Sequence, residues 1–294
     1  MIRRHRSGGG TGHGRAGRSL LAVALALTGA CADREPSTAD APPLVDVSVE
    51  QPAAGEETPR DADAPGASLA RAVAGGRGRG RRYTVADVRS PGTLAGRIIG
   101  GEPVDTSIAP AQDPDICRPF TERLVSSVDG GVGGAVVWLE GVTEGPADDA
   151  PRRAPLVLDR CRLEPRLQRV AVGGTVMING RDAIFARLHF VAAGQSTPLT
   201  TVFLSDVGQV VPVSAATASP GLVRISDDRH PWVRAWLVVS PHPYVAITGP
   251  DGRFSFDRVP AGRYALVAWH ERLGERRIRV RIDGGVRTAV ELDY

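Results

Sequence analysis

A stretch near the C-terminus, residues 224–271, gathers most of the side chains that could do chemistry. It contains three of the four Trp and three of the six His of the chain. Within it, Asp227 and His230 stand three residues apart, and His189 lies upstream at the end of an apolar run. Imidazole and carboxylate donors suit Zn(II) or Cu(II), so these three residues are a candidate metal site. Their spacing does not enforce convergence, and packing or hydrogen bonding of the same side chains is the alternative.

The aromatic residues of the stretch also allow two interpretations. Four residues near loops or strand ends are the candidate binding platform: Trp232, Trp269, His242 and His270. A half-exposed platform of this kind could stack against a sugar ring. Packing between neighbouring domains is the alternative for Trp232 and Trp269, and a hydrogen-bond role is the alternative for the two His. Trp138 and Trp236 lie in apolar runs and are expected in the core.

Enzymatic motifs are missing from the sequence. It contains no G-x-S-x-G, no H-E-x-x-H and no phosphate-cradling motif. The Gly-rich run at residues 129–134 stands just before an apolar segment and is interpreted as a turn. No nucleophile and base can be paired from their spacing, so we expect a protein that is not an enzyme.

The N-terminus predicts export. Residues 1–30 combine five Arg, a short apolar run and small residues, as in a signal peptide. Cys31 follows Gly-Ala, which predicts a lipidated first residue, with cleavage at Ala30 and a soluble product as the alternative. Without the five Arg the formal charge falls from +3 to about 3 − 5 = −2, so the sequence does not predict nucleic-acid binding. Residues 31–82 are rich in Ala, Pro and acids, end in a Gly-Arg run, and predict a linker.

Two further cysteines remain, Cys117 and Cys161. In an exported protein such a pair is expected to form a disulfide. Two thiols that serve a metal are the alternative, although neither has a CxxC or Cys/His spacing around it.

From Tyr83 onward the sequence predicts an all-β protein. Short apolar runs are bounded by Gly, Pro, Asn and Asp, and few segments have helical period. The predicted strands are Thr93–Ile99, Ala135–Leu139, Leu156–Leu158, Val170–Val172, Thr175–Ile178, Ile184–Val191, Thr201–Leu204, Val210–Val213, Leu222–Ile225, Val233–Val239, Tyr244–Thr248, Arg253–Phe256, Tyr264–Trp269, Arg277–Ile282 and Arg287–Leu292. The residues Gly249-Pro250-Asp251-Gly252 predict a type I turn between two of them.

The run from Thr248 to Leu266, T-G-P-D-G-R-F-S-F-D-R-V-P-A-G-R-Y-A-L, resembles the carboxypeptidase-regulatory-like domain. The resemblance covers about residues 242–294 and implies a small transthyretin-like β-sandwich. That family is often grouped with carbohydrate-binding-like folds, which describes its architecture and not a demonstrated ligand.

The run from Val170 to Asn179, V-A-V-G-G-T-V-M-I-N, resembles the plastocyanin-like cupredoxins, and residues 225–233 resemble their second ligand loop. Bacterial exported proteins that join such a domain to a regulatory-like one are similar to this chain from about Gly92 to its end. Gly96, Cys117 and Cys161 match that pattern too.

The resemblance implies four copper ligands, which must be compared with this chain one at a time. The first His falls on Ala186, the Cys on Asp227 and the axial Met on Val233, whereas His230 matches. Type 1 copper requires a thiolate and two imidazoles. The resemblance therefore implies a copper site that has been lost.

Together these patterns predict an all-β chain with a cupredoxin-like Greek-key sandwich at residues 83–240 and a carboxypeptidase-regulatory-like sandwich at 241–294. The expected function is non-enzymatic binding or scaffolding in the periplasm or at the outer membrane, without a cofactor. The expected partners are an envelope protein or glycan, and the membrane through the lipid anchor. The alternatives are a copper or zinc protein with an altered ligand set and a carbohydrate-binding module.

Overall fold

The computed structural model describes residues 83–294, and the predicted signal peptide, Cys31 and the linker at 31–82 lie outside the described residues. The described part is all-β, as predicted, with one turn of 3-10 helix at Ala215–Thr217. Among these residues no helix is long and apolar enough to cross a membrane. The strands are β1 (Thr84–Val85), β2 (Gly92–Ile99), β3 (Val104–Ile108), β4 (Phe120–Val125), β5 (Val136–Glu140), β6 (Glu144–Gly145), β7 (Arg153–Asp159), β8 (Arg162–Glu164), β9 (Leu167–Ala171), β10 (Thr175–Gly180), β11 (Ala186–Ala192), β12 (Pro198–Leu204), β13 (Val210–Val213), β14 (Gly221–Asp227), β15 (Arg234–Ser240), β16 (Val245–Ile247), β17 (Arg253–Val259), β18 (Gly262–His270), β19 (Gly274–Ile282) and β20 (Arg287–Asp293).

Every strand predicted from the sequence is present, and its ends agree within about three residues. Side chains alternate along β19, where Val280 and Ile282 are buried while Arg279 and Arg281 are exposed. Five strands were not predicted: β1, β3, β4, β6 and β8.

One sandwich is built from consecutive residues, 153–240, and is called the inserted sandwich. It has one sheet with the order β13-β10-β7-β8 and another with the order β12-β11-β14-β15-β9. Residues on β7 alternate, so that Ala154, Leu156 and Leu158 point inward and meet Leu188 and Phe190 of β11 in one apolar cluster. Burial of this cluster is the main force that holds the two sheets together.

The other sandwich is built from two separate parts of the chain and is called the split sandwich. Its sheets have the orders β17-β2-β20 and β16-β5-β18-β19. Leu94 and Ile98 of β2 share its core with Phe254, Phe256 and Leu266 from the C-terminal part.

The structure therefore divides the chain differently from the predicted boundary at residue 240. Strands β2 and β5 belong to the split sandwich, although both fall within the predicted 83–240 domain. Each of them lies between two C-terminal strands, so residues 241–294 alone would leave both sheets without a central strand. Residues 153–240 are an insertion between the two halves of that sandwich.

The two sandwiches stack face to face through a third apolar cluster. Trp236 and Val238 of β15 meet Trp138 of β5 and Val267 and Trp269 of β18. The four sheets are thus stacked layers, and Trp138 and Trp236 are buried, as predicted. Their burial is at the contact between sandwiches rather than inside either one.

A hairpin formed by β3, β4 and their connection, residues 104–125, is called the arm. Among the strands of residues 83–294, its two strands pair only with each other. The loop at its end reaches the inserted sandwich, where Cys117 belongs to the apolar core and is bonded to Cys161. The predicted disulfide is confirmed.

The turn at residues 249–252 forms as predicted, with the Gly252 N–H donating to the Gly249 carbonyl at 2.9 Å. The Gly252 carbonyl accepts from Ile98 N–H at 2.9 Å, which fixes the turn against β2. At Gly252 φ is +75°, and a Cβ there would lie 2.1 Å from the Ile98 carbonyl oxygen. Only glycine fits this position.

Candidate functional site

A buried histidine lies between two carboxylates at one end of the inserted sandwich. His230 is 0% exposed. Its Nδ1 is 2.6 Å from Asp227 Oδ2, and its Nε2 is 2.9 Å from Asp113 Oδ2. The Asp227 side chain is also 0% exposed, whereas that of Asp113 is 35% exposed. This Asp113–His230–Asp227 group is called the Asp–His–Asp cluster.

Asp227 and His230 are positioned by a tight loop that follows β14. The Asp227 N–H donates to the Val233 carbonyl at 3.1 Å, and the Val233 N–H donates to the His230 carbonyl at 2.8 Å. The second carboxylate oxygen of Asp227, Oδ1, accepts from the N–H groups of Arg187 and Arg229, each at 3.2 Å. Asp227 therefore has partners for both oxygens, which is what a buried carboxylate requires.

Asp113 reaches His230 from the arm, far away in sequence. Its carbonyl accepts from the N–H groups of Ile116 and Cys117, at 2.9 Å and 2.7 Å. On the other side of the disulfide, the Asp182 carboxylate accepts from the N–H groups of Arg160 and Cys161. The disulfide and the His230 contact hold the same loop at two neighbouring points.

Both ring nitrogens of His230 are used in hydrogen bonds to carboxylate oxygens. A ring nitrogen that is already hydrogen-bonded in this way is not free to bind a metal ion.

The copper ligands implied by the resemblance do not fit this structure. Ala186 and Val233 belong to the apolar cluster against which Trp232 packs, and the Trp232 ring contacts that of His230. However, both are fully buried apolar side chains that offer no donor. The two carboxylates contact opposite nitrogens of one ring, so they cannot converge on a single ion bound to it. Within residues 83–294 no group of three His, Cys, Asp or Glu side chains could hold a metal ion.

Of the predicted set of His189, Asp227 and His230, only Asp227 and His230 contact each other. His189 pairs with Ser226 across β11 and β14, and Leu188 pairs with Asp227. Side chains alternate along a strand, so His189 points to the face of the sheet opposite Asp227. There its Nδ1 is 2.9 Å from Thr201 Oγ1, and its Nε2 is 3.6 Å from Asp228.

The predicted platform of Trp232, Trp269, His242 and His270 is not formed either. Trp232 packs against the inserted core, with its ring 5.5 Å from that of His230. Trp269 is only 1% exposed and meets Trp236 edge to face at 4.8 Å. A ring this deeply buried has no free face on which a sugar could stack, and both His are buried as well.

His242 lies in an aromatic pocket of the split sandwich. Its ring centre is 5.6 Å from that of Tyr83 and 5.7 Å from that of Tyr244, and its Nδ1 has no partner among the described residues. Burial, with a smaller contribution from Arg169, lowers the pKa of His242 from 6.5 to about 4. The buried ring is therefore neutral at pH 7.

We expect the free energy of unfolding to fall as the pH drops from 6.5 towards 4. In this window the unfolded chain takes up a proton at residue 242 that the folded chain excludes, because the folded pKa is the lower one. The loss amounts to about 3 kcal/mol at pH 4. Urea unfolding at several pH values should show a smaller decrease in the His242→Phe variant, and an unchanged slope in that variant would contradict the prediction.

A cleft of about 220 Å³ lies between the two sandwiches. The arm and β9 form one side, and the end of β18 forms the other, with Trp236 and Trp269 in the wall. At the end of β18, His270 Nδ1 accepts from the Arg272 N–H at 3.1 Å, so a neutral ring carries its proton on Nε2. Burial lowers the pKa of His270, which favours this neutral form.

Four charged side chains cross-link the arm to both sandwiches beside the cleft. Glu122 of the arm accepts from Arg166 and, at 3.0 Å, from Arg234. Arg166 also donates to Glu271 at 2.6 Å. Glu122, Arg166, Arg234 and Asp113 stand in no recognisable motif and were not predicted as site residues. Tertiary contacts bring them together with Glu271, which follows the candidate residue His270.

No protein-family model and no curated protein matches the sequence of this chain. The similar solved structures are cupredoxins. A reduced amicyanin variant is 22% identical and covers 30% of this chain and 82% of its own, with a TM-score of 0.26. An oxidised amicyanin variant is 21% identical over 33% of this chain and 91% of its own, with a TM-score of 0.27. A purple cupredoxin from Nitrosopumilus maritimus is 15% identical over 30% of this chain and 99% of its own, at 0.25. Each of these similarities covers about a third of this chain.

Proposed function

We propose that this protein is a non-enzymatic binding or scaffolding protein of the cell envelope that works without type 1 copper. One observation carries the proposal: His230 uses both ring nitrogens in hydrogen bonds to Asp113 and Asp227. The position where the resemblance implies a copper ligand is thus part of a closed hydrogen-bond cluster. That cluster fastens the arm to the inserted sandwich, so its role is structural.

The envelope part of the proposal is supported by the sequence. The export signal at residues 1–30 and the lipid anchor at Cys31 would place the folded part in the periplasm or at the outer membrane. The partner would be an envelope protein or a glycan, and the membrane would be contacted through the anchor.

Titration of the purified full-length chain with Cu(II) tests the copper part of this proposal. We expect no intense thiolate-to-copper absorption band, because the described cysteines are bonded to each other and Asp227 stands in the thiolate position. A cupredoxin loaded in the same way is the positive control. An intense visible band would overturn the proposal. Tight binding of one ion that is lost in His230→Ala would favour a metal protein with an altered ligand set.

A further inference from the structure

Strand β12 is an edge of the inserted sandwich that carries no charge. It lies outside β11 in the five-stranded sheet, and no strand of residues 83–294 pairs with its other side, which is called the open edge. Its seven residues, P-L-T-T-V-F-L, include no charged side chain, and its one proline stands at the first position. A bulge at Leu199 lies near its start, so the pairing with β11 is regular from Thr200 to Leu204. Edges without charges or internal proline tend to pair with other chains.

The other edge strands of the two sandwiches are better protected. Strands β8, β9, β17, β19 and β20 each carry at least one Arg or acid. Strand β13 has Pro212 among its four residues, and proline removes a donor from an edge. Strand β16 has only three residues. Within these two sandwiches, β12 is therefore the one long edge that has neither a charge nor an internal proline.

The backbone groups of Thr201 and Phe203 point away from the sheet. Phe203 pairs with Arg187 of β11, whose N–H donates to Asp227 of β14 at 3.2 Å and so points away from β12. Such a pair exchanges no backbone hydrogen bonds, which directs the groups of Phe203 outward. The Phe203 carbonyl accepts from the Gln209 side chain at 3.2 Å, as an outward carbonyl would. Thr201 is two residues away, so its N–H and carbonyl point outward as well.

Apolar side chains at the outer surface of β12 accompany the open edge. Leu199 and Phe203 are each about half exposed, and so is Phe185, whose ring centre is 6.1 Å from that of Phe203. An aromatic side chain offers about 150–250 Å² of surface, so the exposed halves of the two Phe leave roughly 200 Å² in contact with water. Exposed apolar side chains that are grouped in this way indicate a contact with another protein.

We propose that a second copy of this chain pairs with the open edge in antiparallel orientation, across a twofold axis at Thr201. The outward N–H and carbonyl of Thr201 then exchange two hydrogen bonds with those of Thr201 of the partner subunit. Leu199 lies opposite Phe203 of the partner subunit, and the reverse, because both are two residues from the axis. An axis at Val202 would instead require the Phe203 carbonyl, which already accepts from Gln209.

Charge and area both fit a second copy. Because β12 is neutral, two copies of it meet without like charges opposite each other, and one patch serves both subunits. The two copies together contribute about 400 Å² of Phe surface, in addition to Leu199 and the paired strands. We therefore expect an interface at the low end of the size range, below about 1,200 Å² in total, and a dimer that dissociates on dilution.

Sedimentation velocity of the full-length chain between about 1 µM and 1 mM tests the proposal, since this range covers the affinities expected of a small interface. We expect the weight-average sedimentation coefficient to rise from that of a monomer towards that of a dimer. A monomer at every concentration would overturn the proposal and would leave the open edge to another part of the chain or to a different protein. The copper titration does not depend on this surface, so the two proposals can fail separately.

A charge on the strand locates the contact. Phe203→Arg changes an exposed side chain, so it should fold normally, and we expect it to weaken dimer formation at least about tenfold. Val85→Arg is the matched control, because Val85 is also an exposed apolar residue but lies in β1. Circular dichroism confirms that both variants are folded. If Val85→Arg weakened the dimer as much as Phe203→Arg, the association would not be at the open edge.

A cysteine at the axis tests the strand pairing itself. Residues that exchange both hydrogen bonds have their Cα atoms about 5.5 Å apart, a distance that a disulfide can bridge. Under mild oxidation Thr201→Cys should therefore form a covalent dimer. Ser196→Cys is the control, because it lies five residues from the axis and its two copies would be roughly 30 Å apart. The unchanged chain, treated alike, accounts for any dimer through Cys31. Equal yields from the two variants would overturn the proposed pairing.

Discussion

Replacing Asp227 with alanine is expected to lower the free energy of unfolding by about 3–5 kcal/mol. The substitution leaves the fully buried His230 without its partner at Nδ1, and the N–H groups of Arg187 and Arg229 lose their shared acceptor. A buried polar group that loses its partner costs more than the pair contributed, because the remaining group keeps its desolvation penalty. Urea unfolding of the full-length chain, followed by circular dichroism and Trp fluorescence, measures the change.

Asp228→Ala is the matched control for this prediction. Asp228 is the next residue and also contacts a basic side chain, Arg187, but these side chains are 35% and 47% exposed to solvent, whereas Asp227 and His230 are fully buried. A surface ion pair of this kind is screened by water, so its loss should change stability far less. If the two variants were equally stable, the cluster would have no structural role. The double variant Asp227→Leu with His230→Leu should recover part of the loss, because it removes the buried imidazole together with its carboxylate partner.

The strands could be predicted because the pattern of neighbouring residues is enough to indicate where a strand forms. In β19 apolar side chains alternate with arginines, and a glycine stands at its first position. The division into sandwiches could not be predicted in this way. Strand β2 pairs with β17 and β20, which lie more than 150 residues further along the chain. The residues of β2 itself do not indicate which strands it will pair with.

The candidate site could be predicted only in part. Asp227 and His230 were found because they stand close together in one loop. The error about His189 could have been avoided from the sequence, because it is three residues from Ala186 on one predicted strand. An odd separation places two side chains on opposite faces, so His189 could not replace a ligand at position 186. Asp113 could not be found, because it reaches His230 only through the arm, with a sequence separation of 117.

Replacing Cys117 and Cys161 with serine is expected to lower the free energy of unfolding by about 4 kcal/mol. The disulfide joins residues 44 apart and closes a long loop, so its removal gives the unfolded chain more conformational entropy. The arm would be affected first. In the described part of the chain it pairs with no other strand, and without the disulfide its loop is still held to the inserted sandwich by the contact between Asp113 and His230.

Urea unfolding of the double variant Cys117→Ser/Cys161→Ser, compared with the unchanged chain with and without dithiothreitol, measures the effect. Reduction should shift the unfolding midpoint of the unchanged chain towards that of the variant and leave the variant where it is. Hydrogen exchange then separates two causes. Loss of loop closure alone destabilises all residues together, whereas release of the arm raises exchange at residues 104–125 before it rises in β2 and β5 of the split sandwich. Equal midpoints for the oxidised chain and the variant would mean that the disulfide contributes no stability and that the arm is held by its hydrogen bonds and ion pairs.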